Sequence, residues 1–175
     1  MGMKNFLSAA PKAFAAALCA VWALFAAWSG AAAANVSALS ATDLERVLSD
    51  AGLEAEIGED ADTGGPVARA QLGEILFWVR GLDCTDAGCA TLMFFANFEL
   101  GRSPTSNDLA IVNLFNERQV FGRAYLIEDI AEVGVDYVIE LDGGVSPEHV
   151  SANVSRWADV VAAFIEHFQN ESADS

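Results

Sequence analysis

The chain has 175 residues, 53% of them hydrophobic, with 25 acidic residues against nine basic ones and a net charge of −16. That balance repels nucleic acid and anionic lipid headgroups, so neither is an expected partner. With three cysteines and two histidines, the chain also offers little material for a four-ligand zinc site.

In chain order, Lys4 and Lys12 come before or at the edge of an uncharged run from Ala13 to Ala34 that includes Val21, Trp22, Leu24, Phe25 and Trp28. Ala32 and Ala34 supply the small residues a signal peptidase needs. The pattern predicts an export signal over residues 1–34, cleaved between Ala34 and Asn35. An uncleaved membrane anchor is the alternative, since the run would span about 33 Å as a helix. Its alanine-rich composition and short apolar centre favour cleavage. Cys19 is followed by further apolar residues rather than a polar mature start, which argues against lipid attachment. Cleavage leaves a domain-sized remainder carrying seven arginines against 25 acidic residues, a net charge of −18. A remainder of that length buries about two-thirds of its unfolded surface and needs no metal to fold.

The first predicted helix opens on a capping box, Thr42-x-x-Glu45, and ends near Gly52. A short acidic strand over Leu53–Gly58 and a turn over Asp60–Pro66 follow. Two apolar strands are predicted over Leu72–Leu82 and Ala90–Leu100, the second with Leu92, Phe94, Ala96 and Phe98 on one face. Gly101 and Pro104 mark a loop, and Ser106 caps a second helix through Arg118. In the hairpin beyond it, Phe121, Tyr125 and Ile127 share one side with Arg123. Its second strand sets Val135, Tyr137, Ile139 and Leu141 against Asp136, Glu140 and Asp142. Gly143-Gly144 closes the hairpin. Ser146, Pro147 and Glu148 then start a helix to about Gln169. Its stripe of Val150, Val154, Trp157, Val161, Phe164 and Phe168 reads as core. The predicted order is α-β-β-β-α-β-β-α. This is an α+β domain over residues 35–169, with three helices on a mainly antiparallel five-stranded sheet and a disordered tail at 170–175.

Cys84 and Cys89 flank four residues between two strands. In an oxidising compartment that spacing favours a structural disulfide. A thioredoxin-type redox pair would have two intervening residues, and zinc would need two more ligands. His149 and His167 sit on the last helix without ligand-like spacing. No G-x-S-x-G elbow, H-E-x-x-H pair or phosphate-cradling loop is present. Asp60-x-Asp62-x-Gly64 is a poor calcium loop, because position twelve would be Gln71. It reads instead as a solvated acidic turn. No catalytic residue, metal site or cofactor is expected.

The D-C-x-x-x-x-C loop followed by L-M-F-F-A, the N-x-x-N-E-R of the second helix, F-G-R-A-Y, and G-G-V-S before the last helix occur in a fixed order. In these motifs the chain resembles the YbjN-domain family, specifically its exported, cysteine-bearing members, over about Leu39–Phe168. The resemblance implies a fold like that of class I type III secretion chaperones and a role linked to sensory transduction. It implies no catalytic activity.

Two polar or aromatic groups are candidate partner-binding sites. One is Asn113 and Asn116 with Arg118 and Arg123, at the corner between the second helix and the hairpin. The structural reading is stronger there: Asn116 and Arg118 would satisfy the carbonyls ending the helix. The other is Trp78 with Phe95. Leu76 and Trp78 face one side of their strand while Phe77 and Val79 face the other. A sheet covered on only one side would therefore leave an apolar patch for a protein partner or a second copy of the chain, with dimerisation or additional helix cover as the stronger, structural reading. The expected function is an exported, periplasmic, non-enzymatic protein-binding domain. A small-ligand sensor with a pocket between the sheet and the last helix is the alternative.

Overall fold

The computed structural model describes residues 34–173. The expected export signal over residues 1–34 lies outside the described residues, save for Ala34. Three helices, α1 (Ala41–Asp50), α2 (Ser106–Arg118) and α3 (Pro147–Ala173), accompany six strands. These are β1 (Ala55–Glu59), β2 (Pro66–Leu72), β3 (Ile75–Thr85), β4 (Gly88–Glu99), β5 (Arg123–Ile127) and β6 (Glu132–Glu140). They form one sheet in the order β1-β2-β3-β4-β6-β5, with every neighbouring pair antiparallel.

The sheet thus has six strands rather than the expected five. The additional strand is β2, hidden in the sequence because its inward residues are Ala68 and Ala70, both buried but too small to mark an apolar face. It turns at Gly73, whose φ of 59° favours glycine, into β3. The capping boxes also shift. Ser40 and Asp43, not Thr42 and Glu45, bond reciprocally at α1, and Thr105 with Asp108 replaces Ser106 at α2. In both, aspartate takes the third helical position where the sequence motif favours Glu or Gln, and its shorter side chain still reaches back to the cap. Ser146 does accept from the His149 N–H at the start of α3, at 3.2 Å. That helix continues to Ala173, so residues 170–173 are helical rather than part of the expected disordered tail, while 174 and 175 lie outside the described residues. Glu171 is held by Arg118 of α2 at 3.0 Å.

One core fills the space between the helices and a single face of the sheet. Trp157 of α3 lies with its ring 5.8 Å from Phe77 and 6.0 Å from Phe94, and Phe164 meets Phe115 edge-on at 5.4 Å. Burial of Leu44, Leu48, Phe77, Phe94, Phe115, Trp157 and Phe164 contributes on the order of 1.5–3 kcal/mol per side chain.

Cys84 and Cys89 are bonded. They close the β3–β4 connection as expected, but the strands run past both of them, so the two residues are directly opposed and only a tight turn lies beyond. A strap before α1 docks beside them. Val36 exchanges two backbone hydrogen bonds with Val145, and Leu39 exchanges two with Cys89. Gly88, with φ of 118°, leaves room for the strap, because a Cβ there would lie 2.7 Å from the Leu39 carbonyl carbon.

Candidate functional site

The strand period of two sends alternate residues to opposite faces. Phe77 and Val79 of β3, and Leu92, Phe94 and Ala96 of β4, enter the core. Leu76, Trp78 and Arg80, with Met93, Phe95 and Asn97, point the other way, onto a face against which no described helix packs its core residues.

Register organises that face. One row crosses all six strands: Glu56, Arg69, Trp78, Phe95, Asp136 and Arg123. At its centre Trp78 and Phe95 stack, with ring centroids 5.8 Å apart and planes 17° from parallel. Opposite charges flank them, Arg69 with Glu56 at 3.4 Å and Arg123 with Asp136. Asp136 is buried, so it needs the pairing, and it holds the Arg123 guanidinium above its ordinary pKa. Three sequence-selected residues, Trp78, Phe95 and Arg123, therefore share this row.

Arg80 stands beside it, 5.5 Å over the Phe95 ring and 2.8 Å from the Asp60 carboxylate. Asp60 is 7% exposed, which corrects its reading as a solvated turn residue. Burial alone would raise its pKa. The Thr63 and Asp62 donors and Arg80 outweigh that and hold it below the ordinary value. Toward the opposite end of β4, the Tyr125 hydroxyl donates to Asn97 Oδ1 at 2.6 Å, and Asn97 Nδ2 donates to Glu132 at 3.0 Å. Burial first, then the Asp136 and Glu132 carboxylates, push the Tyr125 phenol up to about 12, so it stays a donor. Gly134 makes this crossing possible, since a Cβ there would lie 2.6 Å from both Asn97 Oδ1 and the Tyr125 ring. Between these networks lies a trough of about 590 Å³ lined by Glu59, Asp60, Trp78, Arg80, Phe95, Asn97, Glu99 and Glu132 among others.

The remaining sequence-selected residues lie elsewhere. Asn116 uses its whole amide on β5: Ala124 N–H donates to Oδ1 at 2.7 Å, and Nδ2 donates to the Ala124 carbonyl at 3.0 Å. It acts as a side-chain stand-in for a neighbouring strand, not as a cap on its own helix. Arg118 pairs with Glu171 rather than with helix-end carbonyls. Asn113 is exposed on α2. These three do not assemble with Arg123 into one corner, because Arg123 projects from the side of β5 opposite to buried Ala124.

A second hollow, of about 230 Å³, opens between the end of α1, the β2–β3 turn and α3, lined by Leu53, Leu72, Phe77, Val154 and Trp157 among others. The Trp157 indole N–H is buried with no acceptor.

Residues 40–170 match the YbjN family, described as "Putative bacterial sensory transduction regulator". The chain belongs to the YbjN family. No curated protein sequence matches it. Among solved structures, it is similar to E. coli YbjN, described as a "putative transcription regulator", with a TM-score of 0.58 and 16% identity. That match covers 80% of this chain and 96% of the other. An uncharacterised protein from Methanothermobacter thermautotrophicus gives a TM-score of 0.52 at 11% identity, covering 75% of this chain and 98% of its own. At such identities the likeness concerns the fold. The YbjN domain here is an α+β unit in which helices cover one sheet face and, among the described residues, none packs on the Trp78–Phe95 face.

Proposed function

We propose that this YbjN protein is exported and works as a non-enzymatic binding domain, holding another polypeptide against the open face of its sheet in a sensory or adaptor role. The observation that carries this reading is the Trp78–Phe95 stack, at the centre of a row crossing the whole sheet on the side away from the core. Aromatic residues in a central, partly desolvated position are the usual anchors of protein interfaces. A one-sided sheet backed by helices also suits the resemblance to class I type III secretion chaperones, though a shared layout does not define a binding site. Crosslinking in the native host with a C-terminally tagged copy tests the reading. A stoichiometric partner, or a second copy of the chain, is expected with the wild type and lost with Trp78→Ala/Phe95→Ala. Retention of every partner by that variant would remove the open face from the function.

Export is supported by the residue 1–34 pattern and by the Cys84–Cys89 bond, which suits an oxidising compartment such as the periplasm. Fractionation followed by N-terminal sequencing should find a periplasmic chain beginning at Asn35. A membrane fraction beginning at the initiator would support the anchored alternative.

The unpaired Trp157 indole beside the 230 Å³ hollow favours a second reading, a small-ligand sensor. A small apolar molecule with one acceptor would suit such a place, and thermal-shift screening should then raise Tm with concentration.

A further inference from the structure

The two ends of the open-face trough are acidic, and the sheet does not neutralise them. At one end Asp60 is matched by Arg80, but Glu59 beside it has no ion-pair partner among the described residues. At the other end Glu99 and Glu132 are directly opposed across β4 and β6. Like charges facing each other across a sheet are destabilising. Elsewhere on this face the same positions hold opposite charges, Arg69 with Glu56 and Arg123 with Asp136. Among the described residues, Asn97 softens the acidic pair by donating to Glu132.

Between these ends lie the two stacked rings, and one of them already carries a guanidinium: Arg80 rests over Phe95. An aromatic face that accepts one cation offers the same attraction to another on Trp78. The domain's charge of −18 beyond residue 34 adds a field that draws in cations and repels anions.

We propose that the occupant of the open face is a basic segment of a polypeptide, with lysine or arginine side chains between Glu99 and Glu132 and over the Trp78–Phe95 shelf. This rests on the protein-binding reading and adds the partner's chemistry. A cation placed between Glu99 and Glu132 removes the repulsion that the empty face carries. Binding and local stability are therefore coupled at that end of the sheet.

The test uses the purified full chain and fluorescence anisotropy of a short labelled peptide alternating lysine with serine. A glutamate–serine peptide and free spermidine serve as comparisons. The lysine peptide should bind and weaken as salt rises. Glu99→Gln/Glu132→Gln and Trp78→Ala should each weaken it by about tenfold. Glu45→Gln/Asp50→Asn on α1 removes the same charge from an exposed helix and should change affinity less than about twofold. Glu99→Gln/Glu132→Gln should also raise Tm by about 1 °C, so lost binding cannot be blamed on misfolding.

Equal effects of the two double variants would reduce the binding to bulk charge and overturn the proposal. Spermidine competing as well as a peptide of equal charge would overturn it in favour of a free polyamine, and preferential binding of the glutamate peptide would overturn it outright. If the lysine peptide fails while crosslinks in cells still depend on Trp78 and Phe95, the open face stands and its basic partner falls. If both fail, both readings fall.

Discussion

Phe94 and Phe95 are adjacent in the chain and live in different environments. Phe94 is completely buried against Trp157, whereas Phe95 is partly exposed and leans on Trp78 and Arg80. One face of the sheet is sealed by three helices and holds apolar side chains in one cluster. The other is a lattice of stacked rings, ion pairs and amide bonds arranged by strand register. The first is where stability resides. The second costs little to alter, and so it is free to carry recognition.

The sharpest way to break this contrast is to truncate the two neighbours. Phe94→Ala should cost about 3–5 kcal/mol in urea unfolding, while Phe95→Ala should cost about 1 kcal/mol or less and show its effect in binding. Equal losses would mean that the open face is covered in solution.

Charge gives the next largest effect. Asp108 is fully buried at the start of α2 and gripped by both terminal nitrogens of Arg102 at 2.7 Å. The Arg102 hydrogen bonds, outweighing burial, hold its carboxyl far below the ordinary range. Asp108→Asn should cost about 3 kcal/mol, against about 1 kcal/mol or less for Arg69→Ala on the open face, where both Arg69 and its partner Glu56 are largely solvated. Because the folded pKa of Asp108 lies below its unfolded value of about 3.9, its contribution is complete above that pH. It is lost as pH falls below it, so the wild-type stability should drop through that window more steeply than Asp108→Asn.

Removing the cross-strand bond by Cys84→Ser/Cys89→Ser should cost about 2 kcal/mol, the loop-entropy value for so short a ring. Guanidinium melts of the oxidised and reduced wild type should reproduce the difference. On the covered side a smaller effect belongs to Asn116→Ala, about 1–2 kcal/mol for two lost bonds to the Ala124 backbone. It also uncovers backbone groups on the edge strand β5, so light scattering should show concentration-dependent association.

Much of the covered face was legible in the sequence, because α3 and β6 present large apolar residues at regular spacing. The open face was legible only in outline. Leu76 and Trp78, alternating with Phe77 and Val79, announced a two-sided strand. The pairing of Trp78 with Phe95, and of Arg123 with Asp136, depends on register between segments far apart in the chain. β2 escaped notice because alanine fills its inward positions. Asn116 had a visible helical context but no visible partner. Its target is a backbone amide on β5, and a backbone carries no signature in sequence.

The strap at Val36–Leu39 sets an order of events. Asn35, the expected mature N-terminus, directly precedes Val36, whose backbone is bonded at both ends to Val145. A peptidase that must draw the Ala34–Asn35 bond into its own cleft competes with that docking for the same few residues. Under the proposed export reading, cleavage is therefore easiest while the strap is still loose, and docking of Val36 against Val145 closes that window even though Ala34 and Asn35 themselves stay exposed.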